Sequence, residues 1–343
     1  MKKIRRTDME RILILCAAAL VVVLALRGGS TKTTQILYES DLEVAQTTAQ
    51  ATPQPETQPT VVYYQDGEGY LVPVTRQIPK TEGVAKATLS LMVKDSKNDM
   101  EAARLGLRTV IPEGTTFDLD ISGGKARVDM SKEALSCLNA EEEALMVQAV
   151  ASTLACFDTV EEVSFLFDGQ ARSKLTHGTD VSGAFNGDYV NMESVTTAAG
   201  AHADQVQLYF PSQTGRVLVP VTRTVFSNAD LTTALIELAK GPREDSGLER
   251  PLPSGCGVKN VTVKNGTATV NFSKGFMDVL KQSDGGRQAI RAILFTASQF
   301  PGVKKVELQV EGEKFSPPEE SAATFINEAE EVMAQYPGIV EID

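Results

Sequence analysis

The chain has 343 residues, of which 23% are charged and 42% hydrophobic, and its formal net charge is −12. An excess of anions of this size disfavours nucleic acid and anionic lipid headgroups as ligands. The length is sufficient for more than one domain with its own core.

The first 27 residues form a basic and apolar leader. Five cations precede an uninterrupted apolar run over residues 12–26. This run is short for a spanning helix and long for a signal-peptide core, so a retained single-pass anchor and a cleaved signal peptide both remain open. We favour an anchor, because Ala25-Leu26-Arg27 offers no small-residue cleavage site. The basic flank then predicts a cytoplasmic N-terminus and extracytoplasmic domains at the cell membrane.

The rest of the chain is acidic and contains three cysteines whose spacing does not suggest disulfide bonds. Without the leader the net charge is about −16, which suits solubility and cationic partners. Cys16 lies inside the apolar run with no small residue directly before it, so a lipoprotein is not predicted. Cys137, Cys156 and Cys256 are an odd number without CxxC spacing, which indicates core thiols rather than a disulfide framework.

The composition of residues 28–60 indicates a disordered tether. They are rich in Thr and Gln and end in Pro53, Pro55 and Pro59, a composition that buries too little apolar surface to fold alone. A flexible segment of this length spans about 30 Å on average. The domains that follow can therefore stand away from the membrane.

A repeated hexapeptide sets the domain organisation. Leu-Val-Pro-Val-Thr-Arg occupies residues 71–76 and returns at 218–223, and the similar segments at 124–132 and 266–274 follow in the same order. Such a long period indicates duplication. We predict two homologous domains, at 61–170 and 206–312, with an inter-domain linker at 171–205 and a tail at 313–343.

Each repeat predicts an α/β (α+β) fold. The apolar periodicities of the first repeat give two strands, a helix, two strands, a helix and a strand, at residues 61–64, 70–75, 84–94, 115–121, 125–130, 141–157 and 162–167. The second repeat follows the same order, and its first helix ends at Gly241-Pro242. The simplest arrangement is a small mixed sheet with two helices on one face.

The hexapeptide itself predicts an edge strand. Pro73 and Pro220 lack a backbone N–H group and therefore favour an edge position. An exposed edge is a surface on which a neighbouring chain can assemble.

The linker and the tail give weaker patterns. Residues 171–205 lack strong periodicity, although 189–195 are compatible with a short strand. The tail predicts an acidic, amphipathic helix over 319–335. We favour packing of this helix on the second domain over a role in binding a partner.

No catalytic, cofactor-binding or metal-ligating residues are predicted. His177 and His202 lie 25 residues apart, which excludes most histidine-based schemes. The first repeat holds Asp118, Asp120 and Asp129, whereas the second holds Lys259 or Asn260, and Asn271, near the matching positions. A duplicated active site is therefore not indicated, although a single site beside one degenerate copy remains open.

Two further charged motifs have structural interpretations. Residues 141–143 are three glutamates that suit the first turn of a helix. Residues 284–287, Asp-Gly-Gly-Arg, fit a helix cap better than an anion site, because a phosphate loop would need more glycines and a following Lys-Ser or Lys-Thr.

Arg76 and Arg223 are the residues most open to a functional interpretation. A cation follows the same strand in both repeats of an otherwise acidic chain, and it could pair with acidic groups on a neighbouring subunit. The alternative is an arginine that pairs within its own domain.

The two repeats resemble the GerMN domain family. The shared features are the LVPVTR-like strand, a helix ending in Gly-Pro, a Pro-x-Gly turn and a G-x-A-x-V-[DN]-x-S strand. The first repeat departs from the pattern, because it has Lys94-Asp95-Ser96 and a longer connection where the Gly-Pro stop is expected. The leader departs too, since members of the family are often lipoproteins.

The resemblance implies a fold similar to the ring-building motifs of secretion systems. It also implies a non-enzymatic, extracytoplasmic scaffold in sporulation or spore germination, within the channel complex between mother cell and forespore. The implied partners are other membrane or extracytoplasmic assembly proteins and further copies of this chain. The alternative function is a ligand- or cell-wall-binding module that modulates an envelope signalling system.

Overall fold

The computed structural model describes residues 56–193, 203–282 and 286–315. The chain divides into two compact units, residues 1–54 and 55–343, and all described residues belong to the second. The leader, nearly all of the tether, His202 and the predicted helix at 319–335 lie outside the described residues. Within the described ranges, no helix has both the length and the apolar character that a membrane crossing requires.

The first repeat follows the predicted order of elements and adds one helix. Its elements are β1 (Thr57–Gln65), β2 (Leu71–Pro79), α1 (Val84–Ser90), α2 (Ser96–Arg104), β3 (Phe117–Ser122), β4 (Lys125–Met130), α3 (Ala140–Ala155) and β5 (Glu162–Phe167). A short 3₁₀ helix, Lys132–Ser136, joins β4 to α3.

The second repeat has the same plan. Its elements are β6 (Asp204–Pro211), β7 (Leu218–Val225), α4 (Leu231–Lys240), β8 (Val258–Lys264), β9 (Thr267–Phe272), α5 (Arg287–Ser298), β10 (Lys305–Val310) and the short β11 (Glu313–Lys314). Helix α4 ends at Gly241, which has a φ of 85° and precedes Pro242, as the Gly-Pro pattern predicts. A 3₁₀ helix, Lys274–Lys281, joins β9 to α5.

Each repeat contains two sheets, so the predicted single sheet is wrong. Strands β1 and β2 form an antiparallel hairpin, and β3, β4 and β5 form a separate mixed sheet in that order. The second repeat has the hairpin β6–β7 and a sheet in the order β11, β10, β9, β8. The mixed character of the predicted sheet is confirmed, since β4–β5 and β9–β10 are parallel.

The longest helix of each repeat explains the division into two sheets. Helix α3 contacts both the hairpin and β5, and its consecutive residues 149–154 are all buried. Helix α5 is buried over 289–297. A helix with buried residues on every side lies between other elements rather than on one surface of a sheet. In the first repeat, α3 accordingly separates the hairpin from the sheet.

An equivalent hydrogen bond, from a backbone N–H group of the hairpin to a threonine side chain of the helix, occurs in both repeats. The backbone N–H group of Tyr63 donates to Oγ1 of Thr153 at 3.2 Å, and that of Tyr209 donates to Oγ1 of Thr296 at 3.2 Å. Both pairs are buried, where an unpaired N–H group would be costly. The duplication therefore extends from the sequence to individual hydrogen bonds.

Two boundaries of the first repeat differ from the predictions. The tether ends earlier than residue 60, because β2 continues to Pro79 and gives residues 57–60 a pairing partner. The longer connection after α1 contains α2, whose first turn is capped by Asp95 through bonds from the N–H groups of Lys97 and Asn98.

Most of the predicted linker packs on the first repeat. Phe185 pairs with Val163 at the edge of β5, and its ring stands edge-on to Phe165 at 5.4 Å between centroids. The backbone N–H groups of His177 and Thr179 donate to the buried Glu143 carboxylate at 2.9 and 3.0 Å. Over residues 171–189 the segment is thus part of the packing of the first repeat.

The hexapeptide strands β2 and β7 lie beside each other where the two repeats meet. The side chain of Asn191 accepts from the N–H group of Leu71 at 2.8 Å and donates to the carbonyl oxygens of Leu71 and Pro220 at 2.8 and 2.6 Å. Thr222 of β7 pairs with Met192, so the segment after Asn191 runs along β7. The prolines correctly predicted that β2 and β7 are edge strands. The free sides of these edges, however, are covered by other parts of the same chain.

Replacing Asn191 tests this junction. Asn191→Ala removes three hydrogen bonds and also places alanine at a φ of 53°, so we expect a loss of about 2–4 kcal/mol in the free energy of unfolding. Urea denaturation measures it. Asn265→Ala is the matched control, because Asn265 has a φ of 51° in an exposed turn and should cost about 1 kcal/mol. Equal losses would show that the amide bonds do not stabilise the junction.

The Glu143 carboxylate should make stability pH-dependent. Burial raises its pKa, but the N–H groups of His177 and Thr179 outweigh burial and hold the pKa below the ordinary 4.5. Its contribution is then fully present above pH 4.5 and is lost as the pH falls through the lowered pKa.

Glu143→Gln should therefore lower the free energy of unfolding at pH 7 by about 1–3 kcal/mol. The difference from wild type should shrink below pH 4.5, as measured by urea denaturation at several pH values. Glu141→Gln, in the same helical turn but exposed, controls for the helix dipole. A pH-independent difference would contradict the assignment.

Candidate interaction site at the junction of the repeats

Arg223 lies at the end of the second hexapeptide and is bound by its own chain. Its Nε and Nη2 atoms each donate to Glu193 at 2.8 Å, in a two-pronged ion pair. Nη1 donates to Oε2 of Glu237 at 3.3 Å, and Nη2 donates to the carbonyl oxygen of Gly241 at 3.1 Å. The Arg223 side chain is 12% exposed, and those of Glu193 and Glu237 are 9% and 15% exposed.

The surroundings favour the charged form of Arg223. Burial alone would lower its pKa, but the hydrogen bonds and charges of Glu193 and Glu237 outweigh it and raise the pKa. The guanidinium carbon also lies 5.7 Å from the ring centre of Phe210, within the range of a cation–π interaction. The bond to Gly241 connects the end of α4 to this network.

Arg76, the corresponding residue of the first repeat, also pairs within its own domain. Its Nη2 atom lies 3.2 Å from Oε2 of Glu101 on α2, and the two side chains are 13% and 24% exposed. The helix that the sequence did not predict therefore supplies the partner. In both repeats a glutamate on a helix faces the hexapeptide arginine.

Arg76 pairs within its own domain, as the alternative predicts. Arg223 pairs both with Glu237 of its own domain and with Glu193 of the segment between the repeats. The role of Arg76 and Arg223 in binding a neighbouring subunit stays a prediction. Glu193 was not singled out from the sequence, because it lies 30 residues from Arg223 in a segment without periodicity. The only hint in the sequence was that an arginine ends both copies of the hexapeptide, which suggested that each arginine has a partner.

A cavity of about 190 Å³ lies at the junction. Residues of both repeats and of the segment between them line it, including Tyr70, Asn191, Glu193, Arg243 and Asp245. Tyr70 donates from its hydroxyl to the carbonyl oxygen of Ser246 at 3.0 Å. The volume is below the range of about 300–1,000 Å³ that is usual for pockets holding drug-sized ligands.

Several carboxylates lie around the Tyr70 hydroxyl at the cavity. Burial raises the pKa of the Tyr70 hydroxyl, and the carboxylates of Asp66, Glu193, Asp245 and Glu68 raise it further. The guanidinium of Arg243, whose Nε atom lies 3.4 Å from Glu193, compensates part of this charge. Together with Arg223, Arg243 balances the carboxylate of Glu193.

The structure does not bring the aspartates of the first repeat together as a metal site. Asp129 accepts from the N–H group of Gly169 at 2.9 Å, and Asn271 accepts from Gly312 in the same way at 2.9 Å. The Asp/Asn position of the repeat motif therefore holds the turn that ends the last strand. In the described part of the chain, no three His, Cys, Asp or Glu side chains gather as a metal-binding group.

The remaining candidates have structural partners. Nε2 of His177 lies 2.7 Å from the carbonyl oxygen of Cys137. Gly286 caps α5 with a φ of 89°, as the helix-cap interpretation of residues 284–287 predicts, while residues 283–285 lie outside the described ranges.

The three described cysteines are free thiols. Burial raises the pKa of Cys137 to about 11 and the pKa values of Cys156 and Cys256 to about 12. A thiol with such a pKa stays protonated near neutral pH and is a poor nucleophile. Cys137 and Cys256 are buried and Cys156 is partly buried, as predicted for core thiols.

Removing the Arg223 charge should be far more costly than removing an exposed one. Arg223→Met removes the cation that Glu193 and Glu237 share and leaves them only Arg243 and Lys240. We expect a loss of about 2–4 kcal/mol in the free energy of unfolding, less than for a wholly unpaired buried charge. Arg127→Met is the control, since Arg127 and its partner Asp120 are both exposed and the loss should be at most about 1 kcal/mol. Urea denaturation compares the two, and similar losses would contradict a stabilising network.

Comparison with known proteins gives matches to both repeats. A family model named Germane, described as "Sporulation and spore germination", matches residues 61–173 and 207–316. The chain is 28% identical over 295 residues to the spore germination protein GerM of Bacillus subtilis (strain 168), which covers 83% of this chain and 80% of that protein.

A solved structure shares the arrangement. The structure of the tandem GerMN domains of the sporulation protein GerM from Bacillus subtilis matches with a TM-score of 0.66 and 27% identity, covering 75% of this chain and 92% of that chain. The expected resemblance to GerMN domains is therefore confirmed. With both of its repeats matched, the chain belongs to the Germane family, the family of sporulation and spore germination, and carries two GerMN domains in tandem.

Proposed function

We propose that this protein is a non-enzymatic scaffold of sporulation or spore germination. It is anchored to the cell membrane by residues 12–26 and holds its two GerMN domains outside the cytoplasm, where they assemble with other envelope proteins of the mother cell–forespore channel complex. The observation that carries the proposal is the match of both repeats, in their tandem order, to a sporulation protein.

The use of the polar side chains supports a scaffold rather than a catalyst. Asp129 holds a turn, His177 holds the segment after the first repeat, and Arg223 joins α4 to the junction. Each has a structural partner of its own. The exposed surfaces of the sheets are available to bind partners, and the acidic character of the chain favours cationic ones.

The junction supports the same role. Asn191 connects the two hexapeptide strands, and the Tyr70 hydroxyl reaches the loop around Ser246. A pair of domains held in one arrangement can fix the spacing of two partners. The alternative, an envelope module that binds a ligand or the cell wall, has the junction cavity in its favour, but the volume of about 190 Å³ admits only a small group.

Deletion of the gene in the source organism tests the proposed function. Heat-resistant spores should fall strongly in number, or the spores that form should fail to germinate, while vegetative growth stays normal. Complementation with the wild-type gene should restore both counts. An Asn191→Ala gene should restore them poorly, whereas the matched Asn265→Ala gene should restore them fully.

Normal sporulation and germination of the deletion strain would overturn the proposal. A deletion strain that instead shows altered envelope-stress responses in growing cells, with binding of the purified protein to isolated cell walls, would favour the alternative function.

A further inference from the structure

The two mixed sheets each end in a strand with a free side. Strand β3 ends the first sheet on the side away from β5, and β8 ends the second sheet on the side away from β11. No other strand among residues 56–193, 203–282 and 286–315 pairs with those free sides. Phe185 already pairs at the edge of β5, and Asn191 and Met192 occupy the junction of the hexapeptide strands. Strands β3 and β8, which also contact helices α1 and α4, keep edges that can accept another chain.

Strand β3 presents an acidic edge. Asp118, Asp120 and Ser122 are exposed on the outer face of the sheet, and Asp120 lies 3.4 Å from its cross-strand partner Arg127 on β4. Leu119 and Ile121 alternate with them on the inner face and are only partly buried. This edge therefore combines negative charge on one face with incompletely covered apolar side chains on the other.

Strand β8 has the same alternation of outer polar and inner apolar residues, but its outer face carries a positive charge. Lys264 and Thr262 are exposed on the outer face, and the inner face carries Val261 and Val263. Val263 is 49% exposed, although it stands opposite the buried Ala268. A register shift between Val258 and Asn260 disturbs only the beginning of the strand, and the remainder pairs regularly with β9.

We propose that copies of this protein assemble head to tail by pairing β8 of one copy with β3 of the next. In the antiparallel register that places Lys264 opposite Asp118 and Thr262 opposite Asp120, Val263 lies beside Leu119 and Val261 beside Ile121. Opposite charges then face each other on the outer side, and apolar side chains meet on the inner side. Such cross-strand pairs stabilise a sheet.

The charges also select the direction of assembly. Pairing β3 with a second β3 would place aspartates opposite aspartates, and like charges across a strand pair are destabilising. Charges on an edge strand protect it against copies of itself, but edges of opposite sign attract. A contact between two different surfaces of the same chain leaves one of each kind free, so growth continues until a ring closes or a filament forms.

Cysteine crosslinking of the full-length protein tests the pairing. With Asp118→Cys and Lys264→Cys in one chain, mild oxidation should give a ladder of dimers, trimers and larger species. Either variant alone should remain monomeric, and an equal mixture of the two single variants should stop at dimers. Lys80→Cys with Lys281→Cys, at exposed positions away from both edges, controls for random collision and for the native thiols.

Charge reversal gives an independent measurement by sedimentation velocity. Asp118→Lys or Lys264→Asp alone should weaken self-association at least about tenfold, which corresponds to 1.4 kcal/mol. The double reversal restores opposite charges and should bring association back to near the wild-type value. Thermal unfolding of each variant verifies that the exposed substitutions leave the fold intact.

Three results would overturn the inference. They are crosslinking by a single-cysteine variant alone, the absence of a ladder from the double variant, and a double reversal that fails to restore association. The inference extends the proposed scaffold role, and the two can fail separately. A sporulation defect without a ladder would retain the proposed function and reject this pairing, whereas a ladder with normal sporulation would do the reverse.

Discussion

The arrangement of the two repeats depends on the side-chain amide of Asn191. It bonds with both backbone groups of Leu71 and with the carbonyl oxygen of Pro220, so one residue satisfies polar groups of both hexapeptide strands. Backbone groups buried at such a contact need partners. Glu193, the partner of Arg223, follows two residues later, so the same segment that joins the strands also positions the buried ion pair.

The repeats share their internal bonds and differ in their exposed charges. The bond from Tyr63 to Thr153 has its equivalent in the second repeat, as does the turn held by Asp129. Asn271 accepts the same hydrogen bond as Asp129 but carries no charge, because both side chains offer an oxygen acceptor. The scaffold therefore tolerates a change of charge at such positions, and the terminal strands of the two sheets carry opposite signs.

Periodic and repeated features were predictable from the sequence, and contacts between distant segments were not. Strands β4 and β5 have the predicted bounds, because alternation along a half-buried strand is a local signal. Pro73 predicted an edge but could not reveal that the edge meets the other repeat. Helix α2 was missed, although Asp95 at its start is a typical cap. Glu193 and Asn191 lie in a segment without periodicity, where only tertiary contacts give the side chains a role.

The distance along the chain between the two hexapeptides has a consequence for folding in the cell. Two strands that share six consecutive residues and lie side by side could exchange their partners, a hazard typical of repeat proteins. The second copy follows the first by 147 residues, a delay of about 7–30 s at ordinary rates of translation. A hairpin forms in about 1–10 μs, so β2 finds β1 long before β7 is synthesised. Refolding from denaturant removes this temporal order, because both copies then compete for partners at once.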